Sequence, residues 1–318
     1  MKVLAPRSEL DRAKKVQKEI AGKFGIDLVF EDDVFDSDSI TVILANHLNM
    51  NKLGIYVKKF SNAKMIQTMS AGVDMLDFTG IPDDIIVCSN AGAYSIPVAE
   101  HAVAMGVTLA KNLIEYNTSM KNGQFVQRGN SLKLHGARAL VVGYGGIGSH
   151  IGMLCEGLGM RVTGIGRSVS SKDRNPMATL KDLDQFLPES DIVFITTPLN
   201  NATRNLFNAD RLNLMKESSV LVNVARAQII VQKDLYDHLV KHIRFKAGID
   251  TWWNEPRGGL EFVEEHPISS LPNVLCSPHN SSMVDGIIED ALTRAFENVN
   301  RYKHGEKLHN VVRREDYM

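Results

Sequence analysis

The feature that most restricts the fold of this chain is the alternation of short apolar runs with longer helical patterns along its length. Short runs flanked by amphipathic helices are typical of buried strands in parallel sheets built from βαβ units. In the N-terminal part a helical pattern such as Glu9–Phe24 separates the runs, which are Lys2–Ala5, Asp27–Phe30, Ile40–Leu44, Lys64–Met69 and Ile85–Ser89. The pattern therefore predicts an α/β fold with a doubly wound parallel sheet.

A second α/β unit follows a long helical pattern that begins near Pro97 and continues through Ile114. A polar loop lies around Lys121–Asn130, and a last helical pattern spans about Val284–His304. The strand-like runs between them are Ala139–Val142, Arg161–Ile165, Ile192–Thr196, Val220–Val224, Phe245–Asp250 and Asn273–Cys276. A chain of 318 residues with this pattern predicts two doubly wound parallel-sheet domains, and the final helix fits either of them.

Composition argues against several classes of protein. A formal net charge of -1 gives no indication of a nucleic-acid or membrane-surface partner. Because Cys88, Cys155 and Cys276 lack CxxC spacing, we predict reduced thiols in or near a core, without a disulfide framework or a metal site. The first apolar run is shorter than that of a signal peptide, and no uncharged stretch reaches membrane-spanning length. We therefore expect a soluble cytoplasmic protein.

A glycine-rich turn joins the predicted strand Arg138–Val142 to a helical pattern over Ser149–Leu158. In GxGxxG spacing the first glycine makes the tight turn, the second lets the backbone approach a pyrophosphate, and the third lets the helix pack closely on the strand. The helix N-terminus then offers free N–H groups to the phosphates. We therefore predict a Rossmann domain that binds a nicotinamide dinucleotide through Gly143, Gly145, Gly146, Ile147 and Gly148.

The residues after the next strand bear on which nicotinamide cofactor binds. An NAD site usually has an acidic residue about twenty positions beyond the glycine turn, where it binds the ribose 2′-hydroxyl. Here the strand Arg161–Ile165 is followed by Gly166, Arg167 and Ser168, with no carboxylate. Arginine would pair with a 2′-phosphate and serine would donate to it, whereas an acid would repel it. The sequence therefore favours NADP(H) over NAD(H), with Arg167 and Ser168 at the phosphate.

Three polar residues follow three consecutive predicted strands of the second unit: Arg226, Glu255 and His279. Strand carboxyl ends share one edge of a parallel sheet, so these residues should face the same edge as the glycine turn. Arginine can grip the carboxylate of a 2-oxo acid and polarise its ketone, and histidine can donate a proton to that ketone. A neighbouring glutamate would orient the imidazole, and Asp250 at its strand end is placed to hold the nicotinamide.

These residues resemble the D-isomer-specific 2-hydroxyacid dehydrogenases, which include glyoxylate/hydroxypyruvate reductases, phosphoglycerate dehydrogenases and D-lactate dehydrogenases. The resemblance covers about Lys64 to Lys303. Its matching segments are Ser70-Ala71-Gly72-Val73-Asp74, Val98-Ala99-Glu100-His101, the Gly143–Gly148 turn, Thr197-Pro198-Leu199-Asn200 with Thr203, Asn223-Val224-Ala225-Arg226, Asp250 with Glu255-Pro256, and Ser277-Pro278-His279.

The resemblance implies that His279 is the acid/base, that Glu255 is its partner and that Arg226 binds the substrate. It also implies that the cofactor site includes Thr197, Pro198, Thr203, Val224, Ala225, Arg226, Asp250 and His279, and that Ala71, Gly72, Val73, Arg226 and His279 bind the substrate. Residues 1–95 and 283–318 would form a discontinuous, flavodoxin-like substrate domain and residues 96–282 the Rossmann domain, with a cleft between them. The helix after Pro97 would help to form a homodimer.

Some positions depart from the family pattern. Ala227 stands where glycine is usual, and Trp252-Trp253 is bulkier than the common pair, so it either reshapes the pocket or fills the core. The leading hypothesis is an NADP(H)-dependent reductase of glyoxylate or hydroxypyruvate. An NAD-linked phosphoglycerate or D-lactate dehydrogenase stays open. So does a nucleotide-sensing, co-repressor-like binding protein, because those proteins retain the arginine, glutamate and histidine.

Overall fold

The computed structural model describes residues 1–6, 11–46, 49–127, 130–167, 177–256 and 260–318. These residues form two compact units. Unit 1 comprises Met1–Tyr94 and Val284–Met318, and unit 2 comprises Ser95–Met283. The sequence of unit 1 is therefore interrupted by the whole of unit 2.

Twelve strands and nine helices are present in the described part of the chain. The strands are β1 (Lys2–Ala5), β2 (Asp27–Phe30), β3 (Ile40–Ala45), β4 (Met65–Thr68), β5 (Ile86–Cys88), β6 (Arg138–Val142), β7 (Arg161–Gly166), β8 (Met177–Thr179), β9 (Ile192–Ile195), β10 (Val220–Asn223), β11 (Lys246–Ile249) and β12 (Val274–Cys276). The helices are α1 (Asp11–Lys23), α2 (Leu53–Lys59), α3 (Ser95–Ala110), α4 (Leu113–Lys121), α5 (Gly146–Gly157), α6 (Leu183–Phe186), α7 (Ala209–Leu214), α8 (Gln232–Lys241) and α9 (Ile287–Lys303).

Unit 1 is built on a five-stranded sheet in the order β2-β1-β3-β4-β5. All pairings among these five strands are parallel, which confirms the predicted sheet type. This is the strand order of flavodoxin-like folds. One core of unit 1 takes Leu292, Phe296 and Val299 from α9, which pack with residues of β1, β2 and β3 such as Phe30. The C-terminal helix is therefore an integral part of unit 1.

Unit 2 is built on a seven-stranded parallel sheet in the order β8-β7-β6-β9-β10-β11-β12. The chain starts in the middle with β6, moves outward to β8, and then returns to place β9 on the other side of β6. This reversal is the topological switch point of a Rossmann fold, where ligands bind beyond the strand carboxyl ends. The structure thus confirms two parallel α/β domains.

The predicted single helix from Pro97 through Ile114 is wrong, because α3 ends at Ala110 and α4 begins at Leu113. Asn112 adopts a left-handed conformation with φ of 55°, which interrupts the helical path. The ammonium group of Lys246 on β11 donates to the Leu109 carbonyl oxygen at 2.9 Å and also to the Asn112 side chain. Lys246 therefore bonds the Leu109 carbonyl group, whose partner in a continuing helix would have been the N–H group of Leu113.

Other differences from the sequence expectations are small. The predicted strands match the observed ones to within one or two residues, but the short edge strand β8 was not anticipated. The last helix begins at Ile287, three residues later than expected, because Gly286 before it has a left-handed φ of 78°. Cys88 and Cys155 are buried, whereas Cys276 is exposed. Among the described residues no helix is both long and apolar enough to cross a membrane.

Candidate active site

The glycine turn follows β6 directly and lies against the loop after β9. Gly143 has φ of 108°, and a Cβ atom built on it would lie 2.3 Å from the backbone nitrogen of Thr197. The Thr196 hydroxyl donates to the Gly143 carbonyl oxygen at 2.7 Å. Only glycine fits at this position, because any side chain would overlap the loop that follows β9.

The other two glycines of the motif differ in the space around them. A Cβ atom on Gly148 would lie 2.2 Å from the Gly143 carbonyl oxygen, so this glycine is required by the packing of the protein itself. A Cβ atom on Gly145 would meet nothing within 4 Å, and Gly145 and Gly146 are exposed at the start of α5. The open approach to Gly145 and the free N–H groups of a twelve-residue helix fit a dinucleotide pyrophosphate.

The end of β7 carries the residues that the sequence associates with the cofactor ribose. β7 ends at Gly166, and Arg167 follows it on the surface. Ser168 lies outside the described residues, so its predicted role is not addressed by the structure. The strand end itself has no carboxylate, as the sequence already indicated.

The loop after β9 holds Thr197, Pro198 and Thr203, all three predicted to contact the cofactor. Thr203 is 1% exposed, and its hydroxyl donates to the Pro198 carbonyl oxygen at 2.6 Å. That hydroxyl also accepts from the backbone N–H of Asn200 at 2.9 Å. The described contacts of Thr203 therefore brace the loop from within, and cofactor contact by these three residues stays a prediction.

Arg226 lies in the turn after β10, which Asn223 holds in place. The fully buried Asn223 side chain accepts from the Ala225 N–H at 3.0 Å and donates to the Arg226 carbonyl oxygen at 2.9 Å. Arg226 itself is half-buried, Val224 before it is buried, and Ala227 after it is 1% exposed. Ala227, which departs from the family pattern, is therefore buried within this turn.

His279 and Glu255, predicted to act together, are in direct contact. The Nδ1 atom of His279 lies 2.7 Å from the Oε1 atom of Glu255, which also accepts from the Trp252 N–H at 3.1 Å. Burial acts to raise the pKa of Glu255. The bond from His279, the charge of His279, the Trp252 N–H and the charge of Arg226 outweigh burial and lower that pKa. Glu255 is thus held as a carboxylate, and Nε2 of His279 is left to meet a substrate.

His279 has an unusual backbone conformation. Its φ is 52°, in the left-handed region, which costs a residue with a side chain on the order of 1–3 kcal/mol. Its N–H donates to the Asp250 carbonyl oxygen at 2.7 Å. Strain of this kind persists where the surrounding structure fixes the backbone, and it is concentrated at functional sites.

Asp250 fixes the loop that carries His279. Its fully buried carboxylate accepts from the Ser277 hydroxyl at 2.5 Å, the Asn280 N–H at 3.1 Å and the Ser281 N–H at 3.3 Å. Contact of Asp250 with the nicotinamide stays a prediction. Sequence reasoning missed Ser277, Asn280 and Ser281 as partners of Asp250, because two of these bonds come from backbone N–H groups that any residue carries.

The adjacent tryptophans of unit 2 fill the core and brace two loops. Trp252 is 7% exposed, and its indole N–H donates to the Ser277 carbonyl oxygen at 2.8 Å. The indole N–H of Trp253 donates to the Ile230 carbonyl oxygen at 3.0 Å. Of the two roles considered for this pair, the structure shows core filling, and Trp252 also supports the loop before His279.

The segment Ala71-Gly72-Val73 lies in unit 1, in the turn after β4. The Ser70 hydroxyl donates to the Gly72 carbonyl oxygen at 2.8 Å, and the Thr68 hydroxyl donates to the Ser70 carbonyl oxygen at 2.6 Å. Val73 is buried in the core, while Ala71 and Gly72 are partly exposed. The turn is therefore internally braced, and its contact with substrate stays a prediction.

Comparisons with known proteins agree with this fold. Residues 103–281 match the family model described as D-isomer specific 2-hydroxyacid dehydrogenase, NAD binding domain. The chain is 29% identical over 297 residues to a glyoxylate reductase of Thermococcus onnurineus, covering 89% of this chain and 79% of the relative. It is 26% identical over 260 residues to a D-3-phosphoglycerate dehydrogenase of Methanocaldococcus jannaschii, covering 80% of this chain but spanning only 48% of that relative's length.

A solved structure also resembles the whole chain. The glycerate dehydrogenase related protein from Thermoplasma acidophilum is 33% identical, with a TM-score of 0.66, and the alignment covers 95% of this chain and 100% of that one. Both the sequence and the architecture are therefore similar to those of known relatives over nearly the full length.

Proposed function

This chain belongs to the D-isomer-specific 2-hydroxyacid dehydrogenase family, and on that premise we propose that it reduces a small 2-oxo acid with NADPH. The observation that carries the proposal is the His279–Glu255 pair, 2.7 Å apart on the loops beyond the carboxyl ends of β11 and β12. The glycine turn follows the carboxyl end of β6 in the same parallel sheet. Cofactor and acid/base groups at one sheet edge are the arrangement that hydride transfer requires.

The roles of the residues follow from their chemistry. Arg226 binds the substrate carboxylate and polarises the ketone oxygen through its guanidinium. His279 donates a proton from Nε2 to that oxygen, while Glu255 at Nδ1 fixes the ring and stabilises the imidazolium form. The nicotinamide, when bound, supplies the hydride. In the direction of oxidation His279 takes the proton back from the 2-hydroxyl group.

The preference for NADPH rests on Gly166 and Arg167. A strand end without a carboxylate does not repel a 2′-phosphate, and the exposed Arg167 next to it can pair with one. Replacement of Arg167 by alanine should weaken the binding of NADPH far more than that of NADH, measured by fluorescence titration of both cofactors. Equal losses for the two cofactors would contradict this preference.

Glyoxylate and hydroxypyruvate are the substrates that we propose, since relatives that align with this chain over 74% or more of their own length are named glyoxylate reductase or glyoxylate/hydroxypyruvate reductase. An NAD-linked phosphoglycerate dehydrogenase is the second candidate, favoured by the name of the Methanocaldococcus jannaschii relative.

The proposal extends to a cytoplasmic homodimer. Exposed apolar residues on and after α4, namely Leu113, Met120 and Phe125, support the dimer, which size-exclusion chromatography with light scattering would test.

The experiment that tests the function follows absorbance of the reduced cofactor. Purified protein is assayed with NADPH and NADH against glyoxylate, hydroxypyruvate, pyruvate and phosphohydroxypyruvate. We expect turnover of the first two with NADPH and, for His279→Ala, a loss of about 100-fold or more in kcat with cofactor binding unchanged. Absence of oxidation with every pair, or full activity in His279→Ala, would count against the proposal.

A further inference from the structure

A chain of side-chain hydrogen bonds connects helix α3 to the loop that carries His279. The Nε2 atom of His101 on α3 lies 3.0 Å from the Ser277 hydroxyl oxygen, and that hydroxyl lies 2.5 Å from the Oδ1 atom of Asp250. His101 Nε2 is also 3.9 Å from the same carboxylate oxygen. The proposed function assigns no role to His101 or Ser277.

The direction of the chain follows from the number of protons that each group holds. The two oxygens of Asp250 receive the N–H groups of Asn280 and Ser281, as a carboxylate would, so Asp250 has no proton to offer Ser277. The single hydroxyl proton of Ser277 must then point to Asp250, and its oxygen is left as an acceptor. His101 therefore donates from Nε2, which defines the tautomer at this site.

This chain of hydrogen bonds ends at residues 279–281, where the backbone of His279 is strained. Asp250 binds the N–H groups of Asn280 and Ser281 through its side chain and that of His279 through its carbonyl oxygen. His279 has φ of 52°, so the position of its imidazole depends on how firmly these bonds hold the backbone. The hydrogen bond from His101 orients the Ser277 hydroxyl and keeps the Asp250 carboxylate in place. It therefore affects the position of the His279 side chain.

Helix α3 is a suitable support for such a chain. It packs against α5, which begins at the glycine turn, and against β10 and β11, whose carboxyl ends lead to Arg226 and Asp250. His101 is thus anchored on the helix that contacts both the cofactor-binding helix and the strands that carry the polar residues. The side chain of His101 is 30% exposed, and its Nε2 atom has the Ser277 hydroxyl as a hydrogen-bond partner.

We propose that His101 is a positioning residue that donates a hydrogen bond through Ser277 to Asp250 and thereby fixes the His279 loop for proton transfer. The inference rests on the proposed function of His279. It predicts that the donor on residue 101 matters, rather than the charge or the bulk of the imidazole. It also predicts that a hydroxyl on residue 277 is required.

The test uses two matched pairs of variants of the full chain. His101→Phe keeps an aromatic ring and removes the donor, whereas His101→Gln keeps an N–H donor at similar reach. Ser277→Ala removes the hydroxyl, whereas Ser277→Thr keeps it. His304→Gln, at an exposed position after α9, controls for the loss of a histidine.

The first measurement is hydrogen exchange of the backbone N–H groups of residues 279–281, which does not depend on activity. We expect exchange about fivefold faster or more in His101→Phe and Ser277→Ala, and close to that of the wild type in His101→Gln, Ser277→Thr and His304→Gln. Unchanged exchange in both His101→Phe and Ser277→Ala would overturn the inference. So would equal exchange in His101→Gln and His101→Phe.

The second measurement is kcat and KM of the same proteins with the best 2-oxo acid. Misplacement of His279 should lower kcat by roughly 10-fold to 100-fold in His101→Phe and Ser277→Ala, with rescue in His101→Gln and Ser277→Thr. Wild-type kcat in the first two variants, despite faster loop exchange, would overturn the link to proton transfer. An inactive wild type would refute the proposed function, and loop exchange would still decide whether His101 holds the loop.

Discussion

The buried imidazole of His238 on α8 should make unit 2 lose stability in mild acid. The side chain is 7% exposed, with its ring centroid 4.5 Å from that of His242 and 4.6 Å from that of Phe245. Its Nε2 atom has no hydrogen-bond partner among the described residues. Burial, with smaller contributions from the charges of His242 and Lys241, lowers the pKa of His238 from 6.5 to about 4.

The sign and size of the effect follow from proton linkage. Because the pKa is lowered in the folded state, the unfolded chain takes up a proton below pH 6.5 while folded His238 stays neutral until about pH 4. The free energy of unfolding therefore falls as the pH drops through this window. One pKa unit corresponds to about 1.4 kcal/mol, and between about pH 7.5 and about pH 5 the loss is roughly 2 kcal/mol.

The assay is urea unfolding followed by tryptophan fluorescence. Both tryptophans, Trp252 and Trp253, lie in unit 2, so the signal reports the unit that contains His238. His238→Phe keeps an aromatic ring, removes an Nε2 atom for which the described part of the chain supplies no partner, and cannot be protonated. Over the same pH interval, the free energy of unfolding of His238→Phe should fall by about 2 kcal/mol less than that of the wild type. The His304→Gln variant should behave like the wild type. The same acid sensitivity in His238→Phe and the wild type would refute the reasoning.

Three further predictions concern the glycine turn, the acid/base pair and the end of α3. Gly145→Ala should weaken cofactor binding while leaving the urea midpoint unchanged, whereas Gly148→Ala should destabilise the fold by about 2 kcal/mol through overlap with backbone; equal stability losses would contradict this contrast. Glu255→Gln should lower kcat about 100-fold. Because the pKa of Glu255 is lowered, the kcat of the wild type should persist in acid until that carboxylate is protonated, and a pH–rate profile will show this. Lys246→Met should lower the free energy of unfolding by about 1.5 kcal/mol, since it removes the ammonium that bonds the end of α3, and an unchanged urea midpoint would disprove that role.

Much of the fold could be predicted from the sequence because buried parallel strands are apolar along their whole length. The runs that became β1, β6 and β10 carry little else, so their apolar character and short length identify them. The edge strand β8, with three residues and a polar threonine, lacks that signal. The break at Asn112 depends on a lysine more than a hundred positions away in the chain, and no local pattern reports such a contact.

The candidate site was accessible to sequence reasoning for a related reason. The carboxyl ends of parallel strands lie at the same edge of the sheet, so Glu255 and His279 could be expected to lie close together. The structure shows that they are in contact. The left-handed backbone of His279 could not be anticipated, because only a small minority of histidines adopt it and the bonds that hold it come largely from backbone N–H groups. Likewise, the sequence places His101 in a helical motif without indicating that its ring faces Ser277.

The interrupted sequence of unit 1 has a consequence for the order in which a newly synthesised chain folds. The core around Phe30 requires Phe296 and Val299 from α9, which leave the ribosome only after all of unit 2 has been made. Unit 2 is continuous in sequence and has its own core, so it can fold while synthesis continues. Until then the first ninety-four residues have an incomplete core, and its apolar residues stay exposed. At this stage the nascent chain is most prone to aggregation and to binding by chaperones.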